Sequence, residues 1–181
     1  MTKRSFKRLA AVALTGIVVA SLPPAAPAQT PIKIGASMSV TGTYAKPGTY
    51  QKQGYDVCID ELNAKGGLLG RKVELVIYDD QSQPATAVRL YEKLITEDKV
   101  DAVMGPYSSA VSEAVANVTE KYKKVMVAPL AATTSIFKKG RKYIFMVITP
   151  AENYLQGLID MAAKRGLKTV AIINEDTLFP K

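Results

Sequence analysis

Histidine is absent from this chain, and cysteine occurs once. The first absence removes the commonest general base, the Ser-His-Asp arrangement and the usual zinc sites together. The second leaves no partner for an internal disulfide. Cys58, within "YDVCIDEL", shares helical spacing with Tyr55, Ile59 and Leu62 and reads as a small buried apolar residue. Also missing are G-x-G-x-x-G or G-x-x-x-x-G-K-[ST] after a strand, and any G-x-S-x-G elbow. "GGLLGRK" is glycine-rich but lies between a helix end and a strand start, where it reads as turn chemistry. No cofactor and no metal ligand set is expected, and enzyme chemistry has no obvious base.

Acidic residues are absent from the start of the chain. "MTKRSFKR" carries four positive charges and no acid, and the 14 residues Leu9 to Leu22 that follow carry no charge. Then comes "PPAAPAQT" with Ala26-x-Ala28. A basic segment, a short apolar run and small residues at the cut describe a secretory signal peptide over residues 1–28, cleaved after Ala28. The apolar run is too short for a membrane span, which needs roughly 20 residues. No Cys follows it, which excludes lipid attachment there. Without those residues 20 basic side chains face 16 acidic ones, a net charge of +4. No basic stripe with interleaved aromatics remains, so nucleic acid is not an expected partner.

What is present alternates. "PIKIGASMS", "KVELVIYDD", "VDAVMG", "KVMVAP", "YIFMVIT" and "TVAIINED" read as strands. Between them, residues 49–64, "QPATAVRLYEKLITED", residues 109–122 and "AENYLQGLIDMAAKRG" read as amphipathic helices. "KGG" stops the first helix, because glycine accepts the left-handed conformation there at no steric cost. Strands alternating with helices of this length imply βαβ crossovers, hence an α/β fold with a doubly wound parallel sheet. The expected organisation is a first α/β lobe over residues 29–148 and the opening of a second over residues 149–181. One strand and one helix cannot close a core of their own.

Hydroxyl groups gather at the carboxyl ends of the strands, where an open parallel sheet places its ligand crevice. Ser37, Ser39, Thr41 and Thr43 follow the first strand, Ser108 and Ser109 follow "VDAVM", and Thr133, Thr134 and Ser135 follow "KVMVAP". Three loops supplying donors and no acid suit an anion, in particular a carboxylate. Ser109 stands where a helix begins, so its hydroxyl and the first-turn N–H groups can face one anionic group. The same serine read alone is an N-cap, worth about 1 kcal/mol. Asp79 and Asp80 close a strand and point to opposite faces, which argues against a paired acid/base site and for a solvated strand end.

The stretches "IKIGASMSVTGTYAKPG", "NAKGGLLGRKVELVIYDDQSQPATAVRLYEKLITEDKVDAVMGPYSSAVSEAV" and "PLAAT" resemble the Leu/Ile/Val-binding proteins. These are extracytoplasmic, periplasmic substrate-binding components of ABC importers with the type I periplasmic-binding fold. The resemblance runs from about Ile32 to Pro180 and implies a non-enzymatic solute-binding function. It implies a ligand held between two lobes, with Ser109 gripping its carboxylate beside Ala131 and Thr133, or Ala132 in the alternative register. Ser108 adjoins the grip, Tyr44 stands near Pro47 in the first loop, and Asn153, Tyr154 and Phe179 fall near the lobe crossing. In the family a disulfide joins the positions that match Ser82 and Ser108, both serine here. The implied partners are an amino acid or a similar small carboxylate and a membrane permease. Members are longer than this chain, which fits an incomplete second lobe. A ligand-binding part of a signalling receptor is the rival reading, and a small α/β hydrolase using Ser108 or Ser109 a weaker one.

Overall fold

The structure is a computed structural model that describes residues 29–179; the expected signal peptide lies outside them. Five strands form one parallel sheet: β1 (Ile32–Met38), β2 (Val73–Asp79), β3 (Ala102–Met104), β4 (Met126–Ala128) and β5 (Ile144–Met146). Their spatial order is β2-β1-β3-β4-β5. β1 and β2 pair along their full length, from Ile32 opposite Val73 to Met38 opposite Asp79. The connecting helices are α1 (Ala45–Ala64), α2 (Pro84–Thr96) and α3 (Ser109–Lys121), followed after β5 by α4 (Gln156–Lys164). The expected doubly wound α/β sheet is what forms.

Right-handed crossovers put α1, which steps from β1 to β2, on one face of the sheet, and α2 and α3 on the other. The core follows that division. Ala87, Tyr91, Leu94 and Ile95 of α2 and Val111, Val115, Ala116 and Val118 of α3 pack with Val103, Met126, Ala128 and Ile144 of the strands. The strand order reverses direction between β1 and β3, so the crevice of this fold opens at their carboxyl ends.

Four expectations need correction. Helix α1 starts at Ala45, ahead of the predicted residue 49. Pro47 falls in its first turn, where an N–H would lack an acceptor anyway, so it opens the helix instead of barring it. Cys58 is exposed, not buried. Helix α1 packs mainly on β1 and β2 and buries no more than Gly48 and Gln51, so its apolar stripe is narrower than the spacing suggests. The strand expected in "TVAIINED" makes no ladder, since among the described residues no strand runs beside it to share its hydrogen bonds. The helix expected before it divides into a 3-10 turn, Ala151–Asn153, and α4.

Candidate functional site

The loop leaving β3 is held from both faces of the sheet. From α2, the buried Tyr91 hydroxyl donates to Met104 O. From α1, Gln51 Nε2 and the Tyr55 hydroxyl each donate to Gly105 O at 3.1 Å. Burial pushes the pKa of both tyrosines above the usual phenol value, so both stay donors. The next three residues, Pro106 to Ser108, therefore leave the sheet from a fixed point.

Three of the four hydroxyls named for the first strand and its loop, Ser37, Ser39 and Thr41, are held by carboxylates. Ser37 and Ser39 donate to the two oxygens of Asp80 at 2.7 and 2.6 Å, and Ser82 N–H donates to the same carboxylate at 2.9 Å. Thr41 donates to Asp79 through its hydroxyl at 2.6 Å, and Val40, Thr41 and Gln81 add backbone N–H donors. Asp80 has no exposed surface, so the strand end read as solvated is a buried clamp. The clamp shapes the first loop. Ser82 Oγ accepts from Tyr44 N–H at 2.9 Å and donates to Thr41 O at 2.8 Å, fixing where Tyr44 stands.

Two adjacent serines open α3, and they divide the work. Ser108 is the N-cap: its hydroxyl accepts from Val111 N–H at 3.3 Å. Its backbone sits at φ 75° and ψ 150°, whereas ordinary caps use the unstrained β region. Ser109 is the first helical residue and is almost fully buried. Its Oγ accepts from Thr133 N–H at 3.3 Å, joining this loop to the one after β4. A hydroxyl that accepts still has its own proton to donate. The N–H groups of Ser109 and Ala110 have no acceptor within the helix. The cap reading thus belongs to Ser108, and Ser109 keeps three adjacent donors for something else.

A cavity of about 370 Å³ opens at this point. Tyr44, Tyr107, Ser108, Ser109, Leu130 and Ala132 line it from the loops after β1, β3 and β4. Ile148, Tyr154, Glu175, Thr177 and Phe179 line it from the later part of the chain. Tyr44 and Tyr107 form a tilted ring pair with centroids 5.4 Å apart, and Tyr154 and Phe179 an edge-to-face pair at 6.1 Å. No lysine or arginine is among the lining residues; the charge there is Glu175.

Of the expected site residues, Tyr44, Ser108, Ser109, Ala132 and Tyr154 are brought together around this cavity. Thr133 lines an adjoining cavity of about 550 Å³ that shares Tyr154 and Phe179, and its hydroxyl donates to Leu178 O at 3.3 Å. Ala131 is in the hydrophobic core with no exposed surface, and Asn153 is exposed in the 3-10 turn and lines neither cavity. Tyr107, Leu130, Ile148, Glu175 and Thr177 were not legible as lining residues. Tyr107 and Leu130 lie within the quoted motifs, but Glu175 lies where a strand was expected and Thr177 in the loop after it, and neither carried a signal.

A protein-family model described as "periplasmic binding protein" matches residues 31–181. The chain belongs to that family. A Leu/Ile/Val-binding protein of Rhizobium johnstonii is 33% identical over 93% of this periplasmic binding protein and 46% of its own length. The solved branched-chain amino acid transporter substrate-binding protein of Streptococcus pneumoniae, in complex with isoleucine, is 30% identical. It matches with a TM-score of 0.66 over 72% of this chain and 39% of its own. An ABC-transporter solute-binding protein from R. palustris, in complex with 4-hydroxybenzoate, is 31% identical, with a TM-score of 0.71 over 83% of this chain and 40% of its own. The chain thus spans about half the length of the relatives it matches. The family read from its sequence blocks is the family it belongs to, and the parallel five-stranded sheet matches the type I periplasmic-binding lobe.

Proposed function

We propose that this chain is part of the extracytoplasmic solute-binding component of an ABC importer and that it binds a small carboxylate without performing chemistry. The observation that carries this reading is Ser109, a buried member of the cavity lining at the start of α3, where its hydroxyl has a proton to donate and the first-turn N–H groups lack intrahelical acceptors. Isoleucine and 4-hydroxybenzoate, the ligands of the two solved neighbours, differ in almost everything but a carboxylate. A grip made of hydroxyl and amide donors recognises that shared group. Charge-assisted hydrogen bonds of this kind contribute about 1.5–3 kcal/mol each.

On this reading residues 1–28 direct export and are removed. Residues 29–148 are the first lobe and residues 149–181 the beginning of the second. Ligand closes the lobes on each other and excludes water, and the closed form is what a membrane permease engages. The Thr133 hydroxyl bond to Leu178 O, which crosses between the two segments, supports closure at this place.

The test is a thermal-shift titration of the intact protein against amino acids, benzoates and aliphatic acids, repeated with Ser109→Ala. Ligand at a hundred times its Kd adds about 2.7 kcal/mol of stability, readily seen as a rise in Tm. Ser109→Ala is expected to weaken binding about 10-fold or more, matching the loss of one charge-assisted bond. Unchanged affinity in the variant would remove the carboxylate grip.

A further inference from the structure

The aromatic residues of this chain are not spread evenly. It has nine tyrosines, four phenylalanines and no tryptophan, yet Tyr44, Tyr107, Tyr154 and Phe179 line one cavity. They form two ring pairs, at 5.4 and 6.1 Å. One pair comes from the loops of the first sheet, the other from residues beyond β5. The aliphatic contribution to the same wall is Leu130 and Ile148.

We infer that the ligand of this site is a single-ring aromatic monocarboxylate; the inference rests on the carboxylate reading of Ser109 and adds what fills the rest of the cavity. A flexible branched aliphatic chain gains its affinity from burial against any apolar wall. A flat ring gains in addition from tilted and edge-to-face contact with other rings, whose edges are positive and faces negative. Two ring pairs from separate segments of the chain supply that contact in one lining. Glu175, an exposed residue, is the charged member of the lining. A carboxylate at that edge disfavours a second anionic group on the ligand and can accept a hydrogen bond from a ring hydroxyl or an ammonium group. Benzoates carrying a hydroxyl and aromatic amino acids share this chemistry.

The positions of the rings explain why the first loop is built so rigidly. Tyr44 is fixed by Ser82, whose hydroxyl holds the Tyr44 N–H, and Ser82 is itself held through its own N–H by the buried Asp80. Tyr107 is fixed by the held carbonyls of Met104 and Gly105 just before it. The backbone that carries each ring of the first pair is therefore set before a ligand arrives, which lowers the ordering cost of binding.

The experiment titrates the intact protein with 4-hydroxybenzoate, benzoate, L-phenylalanine, L-leucine and succinate, read by calorimetry and by tyrosine emission. At least one of the three aromatic acids is expected to bind about 10-fold or more tightly than L-leucine, and succinate not at all. Tyr107→Leu is expected to weaken the aromatic ligand about 10-fold and L-leucine less than about 3-fold. Tyr44→Leu, on a different loop, repeats the measurement, and ligand-free melts of both variants report folding separately. L-leucine bound as tightly as every aromatic acid, or weakened equally by both substitutions, would overturn the aromatic inference and leave the solute-binding reading standing. No binding of any of the five by the folded protein would sink both.

Discussion

Asp80 is the residue on which the first loop depends. It is fully buried and accepts from two hydroxyls and one backbone N–H. Asp80→Ala leaves three buried donors unpaired and is expected to cost about 3 kcal/mol or more, measured as a fall in the urea midpoint. Its neighbour Asp79 adds a pH dependence. Desolvation raises the Asp79 pKa, but the Thr41 hydroxyl and the N–H groups of Gln81, Thr41 and Val40 together hold it below the usual carboxylate value. A depressed folded pKa means stability fully present above the unfolded value, near pH 4, and lost as pH falls through the folded one. Melting curves between pH 7 and pH 3 are expected to show Asp79→Asn losing less stability on acidification than the unaltered protein. Equal losses would show that Asp79 is not the group responsible.

At the scale of the element, α1 approaches the sheet more closely than a side chain allows. A Cβ on Gly48 would stand 2.1 Å from Ser39 O, whereas one on Gly54, two turns on, would meet nothing within 4 Å. Gly48→Ala must therefore push the helix off the loop after β1 and is expected to cost about 1–3 kcal/mol. Gly54→Ala in the same helix is expected to stabilise by about 0.5–1 kcal/mol. Chemical denaturation of the two variants checks both signs, and a neutral Gly48→Ala would mean the contact relaxes freely. The consequence reaches the cavity. Tyr44 caps α1, so a helix displaced at Gly48 displaces the ring that Tyr44 contributes.

Across the whole molecule, burial is uneven. The face shared by α2 and α3 is closed, while α1 covers mainly β1 and β2, leaving Phe145 and Val147 on the far edge exposed. Beyond β5 the imbalance grows. Leu158 and Ile159 of α4 are about half exposed, and Ile173 is 99% exposed. A helix with an apolar stripe and a segment rich in β-branched residues, both left largely exposed, hold little local stability. Amide exchange in this chain is expected to be markedly faster over residues 155–175 than in β1 and β3. Protection there equal to that of β1 would contradict the division of the chain into a closed lobe and an opening second one.

The alternation of apolar runs with amphipathic stretches determined the α/β class, because parallel strands need a long crossover and a helix is its usual form. "KGG" marked the end of α1 for a reason internal to the chain, the left-handed backbone glycine permits. The serines after β3 were legible as a helix start. Which serine does which task was not, because capping by Ser108 and burial of Ser109 depend on the loop after β4 that donates to Ser109. Nor could spacing show that Ser37, Ser39 and Thr41 serve Asp79 and Asp80. Partners some forty residues apart meet only once β1 and β2 pair. The exposure of Cys58 depends likewise on how little of the sheet α1 covers. Local sequence determines the elements and their ends, while hydrogen-bond partners and burial are properties of what each element lies against.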